Sequence, residues 1–214
     1  MAIDSNADLI AGLVAAGYLK SEPVIRAFHN TDRKLFVPQE YADNAYLDEP
    51  LPIGQGQTIS APHMVAIMTE LLQISKADKV LEIGSGSGYQ AAILARLAKK
   101  VYSIEADPAL ARQAEQNLAA AGSKNVKVMT GDGRFGHKPA APYARIVATC
   151  GLPDFFPELA RQLKAKGIFL APIETGYGYQ DLVLARKKGK DLEKEKHGAC
   201  AFVPYRSLEN AARL

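Results

Sequence analysis

Val80-Leu-Glu-Ile-Gly-Ser-Gly-Ser-Gly88 decides the fold. A short apolar run leads into three glycines at alternate positions, and Tyr89 to Lys99 follows with Ala92, Ile93 and Leu97 at helical spacing. The order is strand, glycine-rich turn, helix, the geometry in which a backbone approaches a ligand closely. A dinucleotide fingerprint needs Gly or Ala at its sixth position, where Tyr89 stands, so a diphosphate fits this turn poorly. Glu82, just before the turn, is a poor neighbour for a pyrophosphate and suits a cation or an ammonium better.

Downstream, Val101–Ile104, Val126–Thr130, Arg145–Cys150 and Ile168–Ile173 read as further strands. Asp107 caps a helix that has Pro108 at its first position and Gly122 at its close, and Phe155–Leu163 supplies another helix. This alternation predicts an α/β fold: a doubly wound, mostly parallel seven-stranded sheet with helices on both faces. Leu182–Ala185 and Ala199–Val203 are the last strand-like runs. Arg186 to Lys196, of mixed sign and without aromatics, reads as a solvated hairpin connection. Upstream, Leu9–Ala16 and Val24–Phe28 carry helical periodicity and predict an N-terminal helical lobe. Asp48 to Gly56 holds two prolines and two glycines, which argues against a regular element. Met64, Ile67, Met68, Leu71 and Leu72 form one helical face, with Ser60 in the N-cap position. The division expected is 1–75 for the lobe and lid and 76–214 for the α/β domain, in one compact unit.

Composition narrows the function. The 214 residues are 48% hydrophobic and 23% charged, the balance of a globular chain. A net charge of +3 from 26 basic and 23 acidic residues is too weak to argue for a nucleic-acid partner. Cys150 and Cys200 are too few for a disulfide framework, and four scattered histidines have no metal-ligand spacing, so no metal is expected. The apolar stretch Leu9–Gly17 is preceded by Asp4 and Asp8 with no basic residue before Lys20, the wrong flank for a signal peptide. No run approaches the roughly 20 apolar residues that cross a bilayer. A soluble, cytoplasmic protein with no membrane partner is expected.

Two more features join the glycine turn. The second strand ends at Glu105, where a carboxylate can accept from both ribose hydroxyls. Gly131-Asp-Gly133 follows the third strand, where a side-chain acceptor and a backbone N–H can pair with an adenine edge. Each has a plain structural alternative: a tight turn, a solvated strand end, an aspartate turn former. Together, along the carboxyl ends of adjacent strands, they describe a nucleoside carrying an amino acid.

These motifs resemble those of class I S-adenosylmethionine-dependent methyltransferases. Phe36-Val-Pro38, Ala45-Tyr46, the tract Pro50 to Met64, Pro142-Tyr143, Pro157 to Lys164 and Phe202-Val-Pro204 extend the resemblance to one family, the protein-L-isoaspartate O-methyltransferases, over nearly the whole chain. Ala144, Lys166, Ala201, Tyr205 and Cys150 depart from the family's pattern. The resemblance implies S-adenosyl-L-methionine as cofactor, methylation of isoaspartyl carboxylates in damaged peptides and proteins, a monomer, and a different placement of the last two strands from other methyltransferases. It implies a cofactor site of Gln57, Thr58, Ile59, His63, Glu82, Gly84, Ser85, Gly86, Ser87, Gly88, Glu105, Ala106, Asp132 and Gly133. Ile53, Gly54, Thr58 and Val203 would meet the substrate.

A carboxylate nucleophile is already ionised at neutral pH, since an ordinary Asp-like acid has a pKa near 3.9. No general base is needed, and positioning is the protein's main task. Spacing alone favours Ser60 as a helix cap; the resemblance makes it the catalytic hydroxyl that orients the substrate carboxylate. His63 reads equally as pocket lining or as a first-turn residue. Ile53 to Gln57 is expected to form a lid, and Phe202-Val203 either an opposite lip or a packed terminal strand. Two rivals remain at this stage: a methyltransferase acting on a small-molecule carboxylate, and a cofactor-binding relative without activity.

Overall fold

The computed structural model describes residues 5–176 and 178–208. From the N-terminus come α1 (Asn6–Ala15) and α2 (Glu22–His29), the strands β1 (Leu51–Gly54) and β2 (Gln57–Ile59), and α3 (Pro62–Leu72). The alternating part follows: β3 (Lys79–Ile83), α4 (Tyr89–Leu97), β4 (Lys100–Glu105), α5 (Pro108–Ala120), β5 (Val126–Thr130), β6 (Tyr143–Ala148), α6 (Pro157–Gln162), β7 (Leu163–Glu174), β8 (Gln180–Lys188) and β9 (Asp191–Cys200). The main sheet runs β5-β4-β3-β6-β7-β8-β9. Its first five members are parallel, and β8 and β9 return antiparallel in chain order. The doubly wound, mostly parallel seven-stranded sheet expected from the sequence is present, as is the helical N-terminal part.

α4 holds the lobe to the sheet. Its Tyr89, Ala92 and Ile93 pack with Leu9, Leu13, Phe28 and Phe36 from the N-terminal segment. Its Leu94 and Ala95 join Met68 and Leu72 of α3 and Val80, Val147 and Leu170 of the sheet. A helix with apolar residues all round is stable only when covered on every side. Each large side chain buried this way contributes roughly 1.5–3 kcal/mol, so lobe and sheet stabilise each other through one helix. A second core below the sheet gathers Phe155, Leu159, Leu163 and Phe169 against Ile146 and Tyr143.

Three expectations are corrected. The Asp48–Gly56 tract is not irregular, because β1 and β2 form a hairpin. Its turn residues Gln55 and Gly56 have φ of +53° and +63°, the left-handed pair that a tight two-residue hairpin demands. Pro52 is tolerated because a two-stranded ribbon is all edge, where a missing N–H leaves no ladder bond unmade. Ser60 is not the cap of α3: Ala61 occupies that position, no side chain caps the helix, and Pro62 starts it. Finally, the charged run is strand up to the turn at 189–190, and β9 ends at Cys200, short of Phe202-Val203. No helix among the described residues is long and apolar enough to cross a membrane.

Gly88 begins α4 with φ +87°, and a Cβ there would lie 3.2 Å from both the Ala114 carbonyl oxygen and Leu118 Cγ. Gly88→Ala should lower the unfolding free energy by about 1–2 kcal/mol, the cost of left-handed backbone for an L-residue. Urea unfolding should show a lower midpoint at unchanged slope; an unmoved midpoint would mean that the turn tolerates a side chain.

Candidate active site

Strand order reverses at β3, whose neighbours are β4 and β6. Loops leaving the carboxyl ends of β3 and β6 therefore diverge and leave a crevice, the usual ligand position in an open α/β sheet. Here it is a cleft open to solvent.

The glycine turn forms its floor. Gly84 and Gly86 have φ of +91° and +51°, which a residue with a Cβ rarely adopts. Gly84 N donates to the Ile104 carbonyl at 2.8 Å. Thr149 Oγ1 donates to Gly84 O at 2.6 Å and stands 2.7 Å from where a Gly84 Cβ would be. Gly86 N donates to Glu105 Oε2 at 2.8 Å, and Asp107 N donates to Glu105 Oε1 at 3.1 Å. Each oxygen of an ionised carboxylate has about two acceptor sites. Glu105, which lines the cleft, thus keeps capacity on both oxygens.

Glu82 lies beneath the floor rather than in it. It is fully buried and does not line the cleft. Ser103 Oγ donates to its Oε2, the Ser103 and Ser85 hydroxyls are 2.5 Å apart, and Ser85 faces the cleft. Glu82 Oε1 has no hydrogen-bond partner among the described residues. Burial pushes the Glu82 carboxyl up to about 8, against the lowering effect of the Ser103 bond, and the charge of Glu105 adds to the rise. The expected direct role of Glu82 is corrected to an indirect one, through two serine hydroxyls.

Of the other expected residues, Gln57, Thr58, Ile59, Ser60, Ser87, Ala106, Gly133 and Val203 line the cleft. Gly133 has to be glycine, because a Cβ would collide with the Ile83 γ-methyl. Asp132 is set back, and its carboxylate is engaged by Arg134 Nη2 at 2.7 Å and by the Tyr205 hydroxyl. Burial raises this carboxyl, but those hydrogen bonds outweigh it and hold it below its ordinary value. Ile53 and Gly54 lie on β1, behind β2, and Ile53 Cδ1 would touch a Gly86 Cβ at 3.4 Å. Gly88 sits under the turn. His63 is outside the cleft: its N and Nδ1 meet Asp48 Oδ1 at 2.8 and 3.0 Å, and its ring lies against Tyr18.

The C-terminal segment closes the far side. Gly151 N donates to Val203 O at 2.9 Å and Tyr205 N donates to Gly151 O at 2.8 Å, so Val203 pairs within the chain. Arg206 Nη1 donates to Gln55 O at 3.1 Å, joining this segment to the hairpin tip. The sequence reading missed Thr149, Tyr89, Cys150 and Arg206 in the lining. Thr149 had a signal, a hydroxyl at the end of a strand beside the glycine turn; Tyr89 and Cys150 looked like core, and the tail position of Arg206 carried none. Burial pushes the Cys150 thiol up to about 12, so it stays neutral and is no nucleophile at pH 7.

The residues fit S-adenosyl-L-methionine. Glu105 offers a two-oxygen acceptor for a vicinal diol, and Ile83, Ile104 and Leu110 offer an apolar wall for a purine. The strained glycines expose backbone where an amino-acid tail would lie. The hydroxyl of Ser60, half-buried at the cleft, makes no hydrogen bond to any described residue.

Comparison with known proteins agrees with this geometry. Residues 4–210 match the family model described as protein-L-isoaspartate(D-aspartate) O-methyltransferase. A protein-L-isoaspartate O-methyltransferase of Ignicoccus hospitalis is 46% identical over 204 residues, covering 94% of this chain and 97% of its own. One from Pyrococcus horikoshii is 47% identical over 195 residues, covering 90% and 88%. A solved protein-L-isoaspartate O-methyltransferase superposes with a TM-score of 0.85 at 28% identity, over 95% of this chain and 66% of that one. A Plasmodium falciparum protein described as such an enzyme, in complex with S-adenosyl-L-homocysteine, shares the fold at TM-score 0.85 and 22% identity, over 94% and 98%.

The burial of Glu82 has a measurable consequence. Its folded carboxyl titrates near 8 against an ordinary value of 4.5. Between those values the folded chain keeps a proton that the unfolded chain has released, so this group's contribution to stability falls as pH rises from about 5 to 8. Glu82→Gln cannot titrate, so its melting temperature should decline less than the parent's across that window, whatever its absolute value. Parallel profiles would show that Glu82 is ionised in the folded protein.

Proposed function

The chain belongs to the protein-L-isoaspartate(D-aspartate) O-methyltransferase family, and from that premise we propose that its cleft carries methyl transfer from S-adenosyl-L-methionine to the free carboxylate of isoaspartyl residues in damaged peptides and proteins. The observation that carries the site assignment is the Ser60 hydroxyl: it is at the cleft, freed from capping by Ala61 and Pro62, and without an internal partner. It is free to donate to an incoming carboxylate.

The cofactor supplies an electrophilic methyl group on a sulfonium. Everything else falls to the chain. Glu105 accepts from ribose hydroxyls while holding Gly86 and Asp107 in place. Ser85, steadied by Ser103 and Glu82, and the backbone of Gly84 to Ser87 orient the amino-acid end. Gln57, Thr58 and Ile59 cover the cofactor from β2, with Ala106 and Gly133 bordering the nucleoside. Ser60 orients the nucleophile. No histidine lines the cleft, and the chemistry asks for none, because the carboxylate arrives ionised. Thr58 and Val203 border the path of an extended peptide, with Ile53 and Gly54 supporting the hairpin that forms one bank.

We read residues 1–75 as the lobe that carries the lid and 76–214 as the cofactor domain. Isoaspartyl peptides and proteins are its partners, with no nucleic acid or membrane involved, and it works as a cytoplasmic monomer. The mixed signs of the surface charge support this reading.

Two measurements test it. Glu105→Ala strips the diol acceptor and leaves two backbone donors unpaired, so affinity for S-adenosyl-L-homocysteine should fall by roughly 2–4 kcal/mol in calorimetry; unchanged affinity in a folded variant would leave Glu105 with a purely structural role, holding Gly86 and Asp107. Ser60→Ala should leave the melting temperature and cofactor affinity near the parent's and cut turnover of an isoaspartyl peptide by about 10–100-fold, the worth of one hydrogen bond to a charge. Ser60→Asp should be worse, because a second negative charge would confront the nucleophile. The product should release methanol in mild base, and the normal aspartyl peptide should not turn over. If Asp restores activity, Ser60 is not the orienting group.

A further inference from the structure

Arg33 is fully buried and belongs to no part of the cofactor site. Its Nη1 donates to the Ser60 carbonyl at 2.7 Å and its Nη2 to the Glu49 carbonyl at 3.0 Å. Its guanidinium carbon lies 5.4 Å from the centre of the Tyr89 ring, and Tyr89 lines the cleft. Its Nε has no hydrogen-bond partner among the described residues.

A buried charge is costly unless it is paired, and this one has no carboxylate within ion-pair distance among the described residues. Asp48 and Glu49 act on it only at longer range, and Asp48 is held by His63. Burial lowers the guanidinium to about 10, so it remains a cation at neutral pH. The chain thus keeps a buried positive charge with no contacting counter-ion among the described residues, and its shortest hydrogen bond is to the backbone of Ser60. A structural anchor alone would need the hydrogen bonds but not the charge.

We propose that Arg33 is a positioning residue for the acceptor: it locks the Ser60 backbone from beneath, and its unneutralised charge makes the cleft beside Ser60 select a carboxylate over a neutral group of the same shape. It is fully buried and does not line the cleft, so it does not clamp the substrate. It acts through its field, which reaches past the Ser60 backbone toward the cleft. The inference rests on the reading of Ser60 as the carboxylate-facing group.

The test compares an isoaspartyl peptide with the same peptide bearing a carboxamide in place of the reactive carboxylate, used as a competitive inhibitor. The parent enzyme should bind the carboxylate at least tenfold more tightly. In Arg33→Gln, KM for the isoaspartyl peptide should rise about tenfold, while the amide's inhibition constant and the dissociation constant of S-adenosyl-L-homocysteine move less than threefold. Arg33→Lys, which restores the charge, should recover most of the discrimination. A purely structural role would shift both peptides and the cofactor together, and that result overturns the proposal.

Ser60→Ala keeps the question open to experiment if the Arg33 variants do not fold. Because Ser60 caps nothing, that variant is expected to fold, and a several-fold preference for carboxylate over amide should survive in it through Arg33. Loss of the whole preference with the hydroxyl, or no preference in the parent, sinks the Arg33 inference. Normal turnover in Ser60→Ala would instead sink the reading of Ser60 itself.

Discussion

One carboxylate sets the geometry on which the site depends. Glu105 ends β4, yet its two oxygens take the Gly86 N–H from the neighbouring loop and the Asp107 N–H from the start of the next helix. It therefore fixes the height of the glycine turn over β3 and the place where α5 starts. Asp107 then caps α5 with bonds to Ala109 N and Leu110 N. A hydrogen bond to a charged acceptor is among the stronger single polar terms in a protein, roughly 1.5–3 kcal/mol. Two of them converge on one residue, and both fall at the strand ends where topology already opens a crevice. The cofactor end of the cleft is preorganised for the same reason that the sheet edge is well ordered.

The acceptor end is built differently. It is a hairpin and a loop, anchored to the lobe below and reached by Arg206 from the opposite bank. On the proposed reading, rigid strand ends would hold the cofactor and the hairpin would present the residues that meet varied peptides. Loops carried on a rigid scaffold are where such variation is tolerated. α4 couples the two ends, since one side chain cluster on it belongs to the lobe and another to the sheet.

The sheet, the glycine turn and Glu105 were legible because each depends on local sequence: apolar periodicity, φ above zero, a carboxylate at a fixed distance along the chain. What the sequence concealed depends on tertiary partners. Pro52, Gly54 and Gly56 look like punctuation, but on a two-stranded ribbon they cost little, so the tract became a hairpin. Ser60 has the side chain of a cap, but Pro62, with its fixed φ, starts the helix one residue later than periodicity implied. His63 was ambiguous until Asp48, fifteen residues back, took its ring nitrogen. Glu82 sits at the right place in its motif, but burial and Ser103 keep it under the floor. Arg33, between Asp32 and Lys34, carries no sequence signal of its burial; only the packed lobe encloses it.

The two buried ionisable groups, Glu82 and Arg33, differ in state: burial keeps the Glu82 carboxyl protonated and neutral at pH 7, whereas Arg33 remains a cation. Methyl transfer from a sulfonium to a carboxylate annihilates charge, giving a neutral ester and a neutral thioether. A site for that reaction has to attract both ions without quenching the nucleophile's lone pair. A guanidinium forked directly onto the carboxylate would bind it tightly and make it a poorer nucleophile, since that bond is stronger to the ion than to the ester forming. A guanidinium buried behind the cleft wall and turned to backbone carbonyls acts through its field, which falls slowly with distance, whereas hydrogen-bond quenching acts at contact. Ser60 then supplies one neutral, directional donor, enough to aim an oxygen without holding back its charge. On this argument the cation belongs where Arg33 is, one layer behind the reacting group.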